Sequence, residues 1–158
     1  MAAISTHEGA LHASEGLPVE DLVERYRRVG SAVVQDSPWG EKIQRDELLT
    51  LDVDVLSPCA RHHSISAQNA GQVSARVISA GANIPTTAEA EEILFQRGIL
   101  CLPDFVSNCG GVFGGSMAYT GLSPGLIRNF ITQRIGKRIS WIIQGALRRP
   151  DCHQAGSD

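Results

Sequence analysis

The segment from residue 76 to residue 112 constrains the fold of this chain more than any other part. Its pattern predicts a strand at 75–79, a Gly-Ala-Asn turn, a helix at 87–98 and a strand at 99–102. A second turn, rich in Gly and Asn, follows that strand. Parallel sheets bind ligands beyond the carboxyl ends of their strands, where both turns lie. The segment therefore predicts an α/β fold with a ligand site at its two turns.

Further strands and helices are predicted on both sides of this segment: strands at 2–5, 31–35 and 53–57, and helices at 17–30, 45–49, 65–72 and 124–147. Strands that alternate with helices predict a mostly parallel, Rossmann-like sheet with helices on both faces. We expect three parts: a partial nucleotide-binding domain at 1–122, a C-terminal helix at 123–148 and a polar tail at 149–158.

Helix 17–30 has an apolar stripe that is predicted to face a core. The stripe consists of Val19, Leu22, Val23, Tyr26 and Val29. Residues 110–119 are rich in glycine and are not assigned to a helix or strand.

Composition excludes several classes of protein. With 158 residues and 42% hydrophobic residues, the chain is long and apolar enough for a globular core. A net charge of -3 and 5% aromatic residues give no basis for nucleic-acid binding. No apolar run approaches the roughly 20 residues that span a bilayer, and the N-terminus does not resemble a signal peptide. We therefore expect a cytoplasmic protein without a nucleic-acid or membrane partner.

The four cysteines do not form a Cys-x-x-Cys pair, so we expect reduced thiols. They are Cys59, Cys101, Cys109 and Cys152. His62 and His63 lie near Cys59, but no second metal-ligating pair stands nearby, so no metal site is predicted.

Four blocks of the sequence resemble the Glu/Leu/Phe/Val (amino-acid) dehydrogenase family. Residues 3–17 are similar to the second strand of its nucleotide-binding domain, and 47–60 to a strand that ends in Pro-x-Ala beside the nicotinamide ribose. Gly81-Ala-Asn-Ile-Pro-Thr-Thr87 is similar to the Gly-Ala-Asn-x-Pro-Thr-Thr signature. Residues 102–112 are similar to the Pro-Asp-x-x-x-Asn-x-Gly-Gly signature.

The resemblance implies a glutamate-dehydrogenase-like enzyme that uses NAD or NADP to oxidise an L-amino acid to a 2-oxo acid and ammonia. The cofactor-binding residues that it implies are Ser5, Thr6, Cys59, Ala60, Asn83 and Asn108, and those on the substrate side are Asn108, Gly115 and Ser116. Two alternatives stay open. Asn83 could instead hold its own turn, and Asn108 could cap the helix that follows.

The chain departs from the family pattern in ways that bear on the activity implied by the resemblance. The G-x-G-x-x-G turn that holds a pyrophosphate does not occur in this chain, and neither does the substrate domain with the catalytic Lys and Asp. Thr6 stands where an acidic residue would bind the ribose 2′-hydroxyl, and the nearby Glu8 slightly favours NAD. We expect part of a homo-oligomeric dehydrogenase, inactive without its N-terminal half and with no catalytic residue of its own. The alternative is a non-catalytic remnant that acts in assembly or regulation with a partner chain.

The missing first strand would lie between strands 2 and 4 of a Rossmann sheet. The sequence therefore leaves three possibilities: residues 2–5 pair with 53–57, another chain fills the gap, or the N-terminal third is loosely attached. Residues 53–102 should stay ordered, because their three strands are sequential neighbours.

Overall fold

A computed structural model describes residues 1–148 of the chain. The predicted polar tail at 149–158, with Cys152, lies outside the described residues. The chain divides into two compact units. The first contains Met1–Val53 and Gln72–Ala75, and the second contains Asp54–Gly71 and the chain from Arg76 onward.

The first unit is built on an antiparallel sheet of three strands. They are β1 (Ala3–Thr6), β2 (Gly9–His12) and β3 (Glu41–Ile43), in the order β1-β2-β3. The pairing of residues 2–5 with 53–57 is not observed, because the two segments belong to separate sheets. Helix α1 (Val19–Val29) and two 3₁₀-helices, Gly30–Val34 and Asp46–Thr50, complete the unit. Its core contains Leu11, Leu17, Leu22, Val33 and Val34.

Two predictions for this unit are wrong. Residues 31–34 belong to a 3₁₀-helix, and Gln35 is its C-cap, so the segment is not a strand. Neighbouring side chains of a strand point to opposite faces, whereas Val33 and Val34 are both buried in the same core cluster. In α1 only Leu22 is buried, while the other four residues of the apolar stripe are 44–54% exposed.

The second unit is built on the predicted parallel sheet. Its strands are β4 (Val55–Leu56), β5 (Val77–Ser79) and β6 (Leu100–Leu102), in the order β4-β5-β6. Helix α2 (Ala88–Gln96) links β5 to β6, and the Thr87 hydroxyl caps it by accepting from the Ala90 N–H at 3.3 Å. This arrangement confirms the α/β fold with three sequential strands.

The predicted helix at 65–72 is wrong. The Ile65 N–H donates to the Pro85 carbonyl, and the Thr87 N–H donates to the Ile65 carbonyl, so both backbone groups of Ile65 bond to a neighbouring segment. Only Ala70–Gln72 forms a short 3₁₀-helix.

Three helices follow β6: α3 (Asp104–Ser107), α4 (Gly110–Tyr119) and α5 (Pro124–Leu147). The glycine-rich segment forms helix α4, which packs against α5. A Cβ atom added at Gly110 would lie 3.4 Å from Ile131 Cγ2. Helix α5 begins at Pro124 as predicted, with Ser123 as its N-cap. Among the described helices, none is long and apolar enough to cross a membrane.

Candidate functional site

The carboxyl ends of the three parallel strands open into one cleft of about 750 Å³. Residues that follow each strand line it: Cys59, Ala60, Arg61 and His62 after β4, Gly81, Ala82, Asn83 and Ile84 after β5, and, after β6, Asn108 at the end of α3 with Gly111 and Val112 in the first turn of α4. Four of the predicted cofactor-binding residues, Cys59, Ala60, Asn83 and Asn108, thus lie around one cleft.

Two asparagine side chains join the loops after β5 and β6. Asn108 Nδ2 donates a hydrogen bond to Asn83 Oδ1. Asn108 does not cap α4, because it ends α3 and the N-cap of α4 is Cys109. In the described part of the chain, this bond is the only hydrogen bond of either side chain, so Asn83 keeps amide donors and Asn108 keeps a carbonyl acceptor. A ligand carboxamide needs both kinds of partner.

Asp104 fixes the loop on which Asn83 lies. Its Oδ2 accepts from the Ile84 N–H at 2.7 Å, and its Oδ1 accepts from the Phe105 N–H at 2.7 Å. Ile84 has a φ of 44°, a left-handed conformation that is strained for a β-branched residue. The Asp104 carboxylate therefore has a structural role at the rim of the cleft.

The loops after β4 and β5 touch each other. The Gly81 and Ala82 N–H groups both donate to the Pro58 carbonyl at 3.0 Å. A Cβ atom added at Gly81 would lie 2.6 Å from Cys59 Sγ, which is too close for any real contact. Glycine at this position lets Cys59 and Ala60 approach the second loop.

The remaining predicted site residues lie elsewhere. Gly115 and Ser116 lie on α4 and do not line the cleft. Ser5 and Thr6 belong to β1 of the first unit. The Thr6 hydroxyl donates to the Ser31 carbonyl at 2.9 Å and accepts from the Glu8 N–H, which ties down the end of β1.

The Glu8 carboxylate, from which the preference for NAD is predicted, accepts a hydrogen bond from Gln35 Nε2 at 2.7 Å. Its other oxygen lies 3.2 Å from His7 Nε2. The side chain is therefore held by neighbours in its own unit.

Two titratable groups near the parallel sheet have shifted pKa values. Burial, with a smaller effect of Glu91, raises the pKa of Cys101 to about 11, so this thiol stays protonated at neutral pH. Hydrogen bonds from its own backbone N–H and from Thr87, helped by His63, lower the pKa of Glu89 in the first turn of α2.

The sequence prediction missed Arg61 and His62 as site residues. They follow the Pro-Cys-Ala block directly, so the position of Ala60 at a strand end is the signal that would have indicated them. The sequence pattern raises His62 only as a metal ligand.

Comparison with known proteins places these features in a family. The family described as Glutamate/Leucine/Phenylalanine/Valine dehydrogenase matches residues 1–139. Glutamate dehydrogenase of Thermotoga maritima is 46% identical over 112 residues, which cover 71% of this chain and 26% of the relative. NADP-specific glutamate dehydrogenase of Saccharolobus shibatae is 38% identical over 122 residues, or 77% of this chain and 28% of the relative. The chain thus spans about a quarter of the length of these relatives.

Two solved structures that are similar to this chain are also amino-acid dehydrogenases. Hetero-hexameric glutamate dehydrogenase from Thermus thermophilus, in a Leu-bound form, superposes with a TM-score of 0.75 at 27% identity. The match covers 93% of this chain and 35% of that one. L-tryptophan dehydrogenase from Nostoc punctiforme gives a TM-score of 0.52 at 26% identity, over 56% of this chain and 27% of that one. This chain belongs to the Glutamate/Leucine/Phenylalanine/Valine dehydrogenase family.

Proposed function

We propose that this chain forms the nicotinamide-binding part of an NAD(P)-dependent amino-acid dehydrogenase. In the whole enzyme, an L-amino acid loses a hydride from Cα to C4 of the nicotinamide, and water then hydrolyses the imino acid to a 2-oxo acid and ammonia. The single observation that carries this proposal is the meeting of Ala60, Asn83 and Asn108 around one cleft.

The chemistry of the cleft fits the nicotinamide end of such a cofactor. The asparagine pair offers amide donors and an acceptor to a carboxamide. Ala60 and Gly111 are small, so a flat ring can approach the backbone, and Ile84 and Val112 supply apolar contacts. When bound, the cofactor supplies the hydride acceptor, while the protein supplies orientation.

Turnover is proposed to require residues beyond this chain. Among the described residues that line the cleft there is no carboxylate and no lysine, so they do not supply an acid–base pair for deamination. The roles proposed for Ser5, Thr6, Gly115 and Ser116 likewise depend on the whole enzyme.

We also propose a cytoplasmic homo-oligomer that prefers NAD over NADP. The Thermus protein assembles as a hexamer, which supports an oligomer here, although that hexamer is built from unlike chains. The Saccharolobus relative is NADP-specific, so the family does not dictate NAD, and the preference proposed for this chain rests on Glu8 alone.

The alternative is a non-catalytic chain that acts by binding a partner. Large apolar side chains on α3, α4 and α5 favour it: Phe105 is 77% exposed, Val112 73%, Tyr119 95% and Trp141 76%. Measured turnover separates the two proposals when this chain is combined with the remainder of a family enzyme.

Cofactor binding to the 158-residue chain tests the leading proposal. We expect Asn83→Ala to weaken NADH binding by about 1–3 kcal/mol, because a polar ligand group loses its partner. Fluorescence titration measures the affinity, and thermal unfolding without cofactor should change little.

Asn69→Ala is the matched control, because within the described residues the Asn69 side chain bonds only to the Ser66 N–H and the Ser64 carbonyl of its own loop. It should lower stability and leave NADH affinity unchanged. Unchanged affinity in Asn83→Ala together with a large loss of stability would show that Asn83 serves the turn and not the cofactor. Reproducible amino-acid oxidation by the isolated chain would refute its proposed inactivity.

A further inference from the structure

The cleft carries positive charge that its own lining does not neutralise. Arg61 and His62 both line it, and none of the described residues that line it is an Asp or a Glu. Within residues 1–148, Arg61 forms no ion pair with a carboxylate. An anionic group that enters the cleft would therefore meet a guanidinium that has no competing partner.

Two carboxylates near these loops, those of Asp104 and Glu89, are engaged elsewhere. Both oxygens of Asp104 accept backbone N–H groups. Hydrogen bonds at the start of α2 are the main cause that lowers the pKa of Glu89. The smaller charge effect on this pKa comes from His63 and not from Arg61 or His62. Arg61 and His62 thus remain available to a ligand.

The fold fixes the short segment that presents Arg61 and His62. On one side, the Pro58 carbonyl accepts from Gly81 and Ala82. On the other side, the His63 N–H donates to the Ile84 carbonyl at 2.8 Å. His63 has a φ of 52°, and its ring lies edge-on to that of His62, with the centroids 5.2 Å apart. The loop is therefore held at both ends against the loop that carries Asn83.

We propose that Arg61, assisted by His62, forms a phosphate-binding subsite of this cleft. The planar guanidinium of arginine matches a phosphate with two parallel hydrogen bonds. The asparagine pair in the same cleft suits a carboxamide. The chemical class that carries both groups is a nicotinamide mononucleotide, either alone or as half of a dinucleotide. This inference rests on the proposed function and names the ligand group that Arg61 recognises.

Nicotinamide mononucleotide and nicotinamide riboside differ only by the phosphate, so together they isolate its contribution. We expect the 158-residue chain to bind the mononucleotide about tenfold more tightly than the riboside, the ratio that a charge-assisted hydrogen bond of about 1.4 kcal/mol gives. Arg61→Leu should bring the ratio close to one, and Arg61→Lys should keep part of it, since a lysine retains the charge without the planar fork.

Arg138→Leu is the control for loss of one positive charge, because Arg138 is exposed on α5 and does not line the cleft. It should leave the ratio unchanged. Because Arg61 is itself exposed, its variants should fold normally, which circular dichroism can check. A ratio near one in the wild-type chain, or a ratio that Arg61→Leu does not alter, would overturn the proposal.

Inorganic pyrophosphate separates this inference from the proposed function. It should shift the backbone amide resonances of residues 59–63 in the wild-type chain and not in Arg61→Leu. That result would support the phosphate subsite even if NADH left the resonances of Asn83 and Asn108 unchanged, an outcome that would defeat only the proposed function. If glutarate shifts residues 59–63 and pyrophosphate does not, the cation serves a substrate carboxylate and the proposal is wrong.

Discussion

Two residues at the rim of the cleft show what sequence reasoning can find at the scale of single residues. Gly81 was predicted as part of a turn, and the structure gives a specific reason for it, the contact with Cys59. Ile84 occupies the variable position of its signature, and nothing in its type indicates the left-handed backbone that it adopts. The hydrogen bond between Asn83 and Asn108 could not be predicted from a local sequence pattern either, because the two residues lie 25 positions apart.

Replacing Ile84 with glycine should stabilise the protein. A left-handed conformation costs an L-residue about 1–2 kcal/mol, whereas glycine loses roughly 0.5–1 kcal/mol through its more flexible unfolded chain. The Ile84 side chain is 61% exposed, so little burial is lost. We expect Ile84→Gly to raise the free energy of unfolding by about 0.5–1 kcal/mol in urea denaturation.

Ile84→Val is the matched control, because valine is also β-branched and should give no gain. Equal stability of the glycine and valine variants would show that the backbone at this position is not under strain.

Elements with strong local signals were predicted well, and those that depend on distant contacts were not. Helices α2 and α5 have their own capping residues, Thr87 and Ser123, and both begin where the sequence indicates. The predictions for residues 31–35 and 65–72 are wrong. The burial of Val33 with Val34 and the bonds of Ile65 to a neighbouring segment decide their conformations, and neither can be read from a local pattern.

The start of α2 should contribute stability that depends on pH. Because the folded-state pKa of Glu89 is below its ordinary value of 4.5, its carboxylate stabilises the fold above that pH. The contribution is lost as the pH falls through the lowered pKa. We expect Glu89→Gln to lower the melting temperature at pH 7, with a difference from wild type that fades below about pH 4.5.

The Thr87→Val background is the control for the cause of this effect, since the Thr87 hydroxyl is one of the groups that lower the pKa of Glu89. In the Thr87→Val variant, Glu89→Gln should lower the melting temperature at pH 7 by less than it does in the wild-type chain. A difference between Glu89→Gln and wild type that stays constant from pH 7 to pH 3 would contradict the prediction.

At the scale of the whole molecule, the parallel sheet was predictable and the antiparallel sheet was not. Strands β5 and β6 follow β-branched or apolar runs that end at clear turns. Strand β3 contains the exposed residues Glu41 and Lys42 and has no alternating pattern, and no separate strand is predicted at Gly9–His12, where β2 lies. The first unit has a core cluster of its own.

Because each unit has its own buried core, a substitution that destabilises one core should mainly lower the stability of that unit. Leu11 in β2 and Ile78 in β5 are each 1% exposed, and truncating such a residue to alanine costs about 2–5 kcal/mol. In hydrogen exchange we expect Leu11→Ala to accelerate the amides of β1–β3 and to spare those of β5 and β6. Ile78→Ala should do the reverse. Val23→Ala, at a 45% exposed position of α1, should change neither set. If either core variant accelerates exchange equally in both units, the chain unfolds as one cooperative body and the two cores are not independent.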